Sequence, residues 1–178
     1  MDSDLTLDFI IIIVLIIANG LFSMTELAIV NAKKRKLEEL AEAGNERAKK
    51  AFELAENPND MFSTIQIGIT LVGILTGLYS GATFSGPLEE ILTANIPSIE
   101  PYAASVSSFL IVAIITYLSL VIGELVPKRL ALNSPEGIAV VVAKPIYWLS
   151  VALKPIVSFL GISTEFLLKI LGVTVKEE

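Results

Sequence analysis

The chain has 178 residues, 53% of them hydrophobic, with a mean hydropathy of +0.72 and a formal net charge of -6. Two of its charge-free runs, 61–88 and 101–123, exceed the roughly 18 residues that nominate a membrane-spanning helix, which excludes an ordinary soluble globule. It contains no cysteine and no histidine, so disulfides, thiol nucleophiles, imidazole chemistry and the usual zinc or copper sites are excluded, and any metal must be a hard one held by oxygen.

The first apolar run covers about 5–30. It follows Met-Asp-Ser-Asp, not a basic segment, and it continues to Val30 without a small-residue cleavage site. It is expected to be a retained first helix, not a signal peptide. The next stretch, 33–57, sets Leu37, Leu40, Phe52 and Leu54 among charges, with Gly44 and then Asn57-Pro58 as stops, and reads as a polar helical hairpin. Spans are expected at about 61–88 and 101–123. The remainder, 127–172, contains the apolar run 145–172 with Lys154 and Pro155 near its middle. Crossing there would put Lys154 near mid-bilayer at about 2.5–3.5 kcal/mol. A juxtamembrane or re-entrant segment is expected instead, held by Lys144, Tyr147, Trp148 and Lys154.

The expected fold is therefore all-α and integral to the membrane. One transmembrane domain, 1–178, contains three transmembrane helices, a helical hairpin and a C-terminal juxtamembrane or re-entrant segment. Seven of the thirteen Lys and Arg residues lie in the hairpin, and the loop 89–100 has none. The positive-inside rule then makes the hairpin cytoplasmic, the N-terminus external and the C-terminus cytoplasmic in a multi-pass plasma-membrane protein.

On 3.6-residue helices the polar side chains fall into stripes: Asn19, Ser23 and Glu26 on the first span; Ser63, Gln66, Thr70, Gly73 and Gly77 on the second; Ser105, Ser108, Thr116, Ser119 and Gly123 on the third. Three helices sharing a polar interior would give this pattern. So would ordinary packing of small residues, with Gly73, Gly77 and Gly81 as a close-contact ridge within the chain or at a dimer seam. Glu26 and Glu124 differ, because an ionisable group within or ending a span is costly and by default a functional candidate. The plain alternatives are a headgroup-level position for Glu26 and a salt bridge from Glu124 to Lys128, one turn on.

Pro127 bears on the choice. It has no N–H, so a helix running through it leaves the carbonyl of Gly123 without its partner, and irregular backbone at membrane depth is tolerated where it lines a cavity or meets another ligand. The Gly123 carbonyl beside Glu124, with the Ser23 and Ser63 hydroxyls at similar depth, would form an oxygen-lined cage with one negative charge. That suits Mg²⁺, though Na⁺ or a proton fits the spacing as well.

The stretches "ANGLFSMTELAIVNAKKRKLEELAEAGN", "STIQIGITLVGILTG" and "IGELVPKRLALNSPEGIAVVVAKPI" resemble the transmembrane domain of the CNNM/CorC (CorB) family of magnesium transporters. The resemblance implies a homodimer in the lipid bilayer, with three spans per subunit and a belt-like juxtamembrane helix. It also implies Mg²⁺ export or exchange coupled to Na⁺. By motif it carries the metal-site role to Ser23, Gly123 and Glu124 and to Ser63. Asn19, Glu26, Gln66 and Thr70 are then second-layer or Na⁺ candidates, and Pro127 and Lys128 are structural support. Two departures stand out. Ile69 and Thr70 occupy places where family members often carry asparagine, and the cytoplasmic CBS pair through which the family binds ATP is absent from this chain, as expected of a fragment. No enzyme activity and no nucleic-acid partner are expected. The alternative from another class is a membrane anchor and dimerisation scaffold that senses Mg²⁺ without moving it.

Overall fold

The computed structural model describes residues 2–56 and 58–172, and among them it contains helices and short turns but no strand. Helix α1 (Asp2–Asn31) has 30 residues, about 45 Å at 1.5 Å per residue. Helices α2 (Lys34–Glu42) and α3 (Glu46–Glu56) form the expected hairpin. Its turn uses Gly44 at φ +89°, a left-handed conformation that a β-carbon disfavours. Asn45 Oδ1 then accepts from the N–H groups of Arg47 at 3.0 Å and Ala48 at 3.1 Å, which caps α3. Lys50 donates to Glu53 at 2.6 Å and lies over the Tyr147 ring. The Glu53 hydrogen bond holds its ammonium above the ordinary lysine range. The expected stop at Asn57 falls outside the described residues.

Helix α4 (Asn59–Asn95) runs through Pro87 well past the expected end of the second span, and a 3-10 turn (Pro97–Tyr102) leads into α5 (Ala103–Leu120). The helix of the third span does not end at Gly123. It passes through a π-helical segment, Val121–Leu125, into α6 (Val126–Asn133) with helical dihedrals at both junctions. Helix α7 (Pro135–Ile170) is one 36-residue helix containing Pro145 and Pro155.

Four helical runs are long and apolar enough to cross a membrane, the fourth being Pro135–Ile170, where a juxtamembrane or re-entrant segment is expected from the sequence. A re-entrant dip needs a break in the chain's direction, and α7 has none. Its internal prolines each remove one N–H, but the flanking turns keep the helix going.

The main apolar core lies at the hairpin end of the molecule, not in the middle of the long helices. Ile29 and Ala32 of α1, Leu37 of α2, Ala51 and Leu54 of α3, Met61 and Ile65 of α4, and Ala139, Ala143 and Ile146 of α7 meet there. Glu136 ties the start of α7 to this end: its carboxylate accepts from the Lys33 N–H at 3.3 Å and pairs with Lys36 at 3.4 Å. Further along the long helices Leu78, Phe109, Tyr117 and Phe159 are each more than 65% exposed. That surface would be unsustainable in water and is what a lipid-facing helix presents.

Candidate cation site

Pro127 cannot donate, and the backbone around it rearranges in a definite way. The Val126 N–H bonds the Val121 carbonyl five residues earlier, a π-type bond. Such single-turn π segments inside helices often mark functional positions. The Gly123 carbonyl, released from the ladder, accepts instead from Asn19 Nδ2 of α1 at 3.0 Å. A buried carbonyl without a partner costs about 1–3 kcal/mol, so this bond fixes Asn19 to the bend.

Two glycines make the approach possible. A β-carbon at Gly20 would stand 2.9 Å from Pro127 Cγ and 3.2 Å from the Ile122 carbonyl oxygen. One at Gly123 would stand 3.2 Å from both Asn19 Nδ2 and the Ile16 carbonyl oxygen. Backbone therefore meets backbone where α1 crosses the π segment. On the neighbouring face, Gly68 of α4 receives the Phe22 ring, which would clash with a β-carbon at 2.7 Å.

An open cleft of about 220 Å³ lies alongside, lined by Asn19, Thr76, Thr116, Ser119 and Glu124 together with Gly73 and Gly77. Lys128 donates to Glu124 Oε1 at 2.6 Å, so the salt bridge expected from their spacing is present. Asn19 Oδ1 is buried with no hydrogen-bond partner. Its amide nitrogen is committed to Gly123, which leaves the oxygen as an acceptor awaiting a donor or a cation.

The candidate residues separate into two groups. Asn19, Gly123 and Glu124 come together at the π segment, and Pro127 is buried beneath them. Ser23 is buried, one turn beyond Asn19 on the same face of α1, but does not line the cleft. Ser63 is half-buried and precedes Gly73 by ten residues, about 15 Å along α4. Glu26 is half-buried, and Gln66 and Thr70 are exposed and face each other at 3.5 Å.

The polar stripe read on α4 thus points largely away from the interior of the chain. The buried hydroxyl residues there are Thr64, Thr76 and Ser80. Their hydroxyls bond carbonyls on the preceding turn, as Thr76 does to Val72 at 2.7 Å, so hydroxyl spacing alone does not report the inward face. Likewise Ser105 and Ser108 are exposed while Ser107 is buried. Gly73, Gly77 and Gly81 have nothing within 4 Å of a built β-carbon and form no close-contact ridge within the chain. Thr76 lies outside the stripe that the sequence marks, and its signal is a threonine three residues after Gly73, on the turn that shares the cleft with Asn19.

Among the described residues no three carboxylates gather as a ready-made metal site. The chemistry available is one carboxylate, one freed main-chain carbonyl, one amide oxygen and several hydroxyls. Such a donor set suits a hard cation that keeps part of its water.

The long apolar helices, with a polar cleft between them at Glu124, define a multi-pass helical membrane protein. Residues 10–178 match the family described as "CNNM: Cyclin M transmembrane N-terminal domain". The chain belongs to the CNNM family. It is 50% identical, over 98% of its length, to the UPF0053 protein sll0260 of Synechocystis sp.. It is 34% identical over 94% of its length to the UPF0053 protein YugS of Bacillus subtilis, and 30% identical over 84% to the polyamine export protein of Escherichia coli K12. It covers 39%, 39% and 33% of the lengths of these relatives.

Proposed function

We propose that this chain is the membrane-embedded part of a secondary transporter that exports or exchanges Mg²⁺, coupled to Na⁺, and that works as a homodimer. Glu124 supplies the charge and Gly123 the main-chain carbonyl, with Asn19 holding the carbonyl in place, and Ser23, one turn along α1 and outside the cleft's lining, is the candidate for a hydroxyl ligand. Ser63 offers a further hydroxyl toward the hairpin end, and Glu26, Gln66 and Thr70 are candidates for the Na⁺ path. The observation that carries the reading is the Gly123 carbonyl, taken out of the helix beside an intramembrane carboxylate.

In the membrane, the basic hairpin faces the cytoplasm and the N-terminus the outside. The first half of α7 supports a belt along the inner edge: Glu136 meets Lys33 and Lys36, Tyr147 meets Lys50, and Lys154 shares a pocket with Asp60 at the start of α4. Residues 136 and 154 are about 27 Å apart along the helix yet both stay at the hairpin end.

Relatives named as polyamine export proteins raise a second cargo. A polyamine carries several separated charges and needs spaced carboxylates, whereas only Glu124 lines this cleft. A compact cation fits better. The test is Mg²⁺ movement in vesicles holding the purified chain. Flux that is lost in Glu124→Gln and untouched by spermidine supports the reading. Mg²⁺ binding without flux would leave the scaffold, and flux inhibited by spermidine would make the polyamine the cargo.

A further inference from the structure

Asp8 is a carboxylate four residues into the apolar run Leu5–Asn31, and Tyr79 of α4 donates its hydroxyl to Asp8 Oδ1. Nothing in the proposed Mg²⁺ site uses this pair. A half-buried hydroxyl such as that of Tyr79 could be satisfied by a neutral side chain, and those of Thr76 and Ser80 are satisfied by a carbonyl of their own helix. A carboxylate at this position is a costly choice for helix packing and points to cation handling.

Its position relative to the cleft is specific. Asp8 precedes Asn19 by eleven residues, about three turns, so the two lie on one face of α1 and about 16 Å apart. Tyr79 follows Thr76 by three residues and shares its face of α4, and Thr76 lines the cleft. On the two turns of α1 between Asp8 and Asn19, Ile12 and Ile16 are 2% and 1% exposed, and on α4 Ser80 is 2% exposed. The seam between α1 and α4 is thus closed beyond the cleft, first by two isoleucines and then by the Tyr79–Asp8 bond. The chain has no lysine or arginine before Lys33 and none between Lys50 and Lys128, so neither α1 up to this pair nor α4 carries a cation.

We propose that Asp8 and Tyr79 form the outer gate of the cation path, with Asp8 as the carboxylate that receives the cation once Tyr79 lets go. This rests on the cleft at Glu124 being the transport site. In the arrangement seen here the tyrosine occupies one oxygen of the carboxylate, and the α1–α4 side of the cleft is closed toward the outer end. Opening exchanges one donor, the tyrosine hydroxyl, for the arriving cation, so the carboxylate is never left bare.

The chain has no native cysteine, which allows a direct test. A Ser119→Cys reporter in the cleft is exposed to a membrane-impermeant maleimide on intact cells, with Ser98→Cys in the 3-10 turn as a topology control that must label. Tyr79→Phe keeps the ring and removes the donor, and should raise outside labelling of the reporter several-fold. Asp8→Asn keeps an acceptor for the tyrosine, so labelling should stay at the wild-type level. Vesicle flux should nevertheless fall at least tenfold while Mg²⁺ binding in solution is retained. Unchanged labelling in Tyr79→Phe, or unchanged flux in Asp8→Asn, overturns the gate. A silent Ser98→Cys overturns the orientation on which the gate depends. Loss of Mg²⁺ binding in neither wild type nor Asp8→Asn, together with unchanged binding in Glu124→Gln, would instead fault the cleft as the site.

Discussion

Pro127 shapes the site through an absence, since the missing N–H frees a carbonyl four residues back and Asn19 takes it up. Replacing Pro127 with Ala restores a donor that can recapture the Gly123 carbonyl, and Mg²⁺ affinity should fall at least several-fold by calorimetry; unchanged affinity would show that the carbonyl is not a ligand. Gly20 tests the packing beneath. An added methyl at Gly20→Ala meets Pro127 at 2.9 Å, and such overpacking costs about 1–3 kcal/mol, read as a lowered melting temperature in detergent. Gly77→Ala meets nothing within 4 Å and should leave the fold of a single chain as stable or slightly more so. If Gly77→Ala instead dissociates the proposed dimer on size exclusion, the glycine face is the seam between copies. The freed carbonyl was legible in the sequence because it follows from one covalent fact. The partner was not, because Asn19 lies 104 residues away, and local spacing carries no information about which helix arrives there.

At the scale of elements, periodicity placed the first three apolar runs and the hairpin, and it failed at faces and ends. Gln66 and Thr70 of α4 are exposed while Thr64 and Thr76 are buried, because a threonine that bonds its own helix can face either way. The third span continues past Glu124 to Asn133, since a π turn absorbs the proline that would otherwise stop it. Helix α7 could not be read because Lys154 and two prolines argue against a span by composition, whereas its course is set by contacts with the hairpin. Glu136 is the anchor of that course. Removing its carboxylate in Glu136→Ala strands the Lys33 N–H and Lys36, and should cost about 1–3 kcal/mol, seen as earlier proteolysis between α6 and α7. Resistance equal to wild type would mean that apolar packing at Ala139, Ala143 and Ile146 suffices to hold α7.

Across the whole molecule, an apolar core at the hairpin end supports three helical runs that line a polar cleft, and the carboxylate in that lining sits where the third run passes through its π segment. Family membership agrees with this layout and leaves the cargo to be decided by the chemistry of the cleft, where the Lys128 ammonium now occupies the oxygen that a cation would take. The central claim is that Glu124 and the freed Gly123 carbonyl bind Mg²⁺. Calorimetric titration of the purified chain with Mg²⁺, wild type against Glu124→Gln, tests it most directly, with Na⁺ and spermidine as competitors. The account predicts saturable Mg²⁺ binding that vanishes in the variant and resists spermidine; equal Mg²⁺ binding in the two proteins would contradict it.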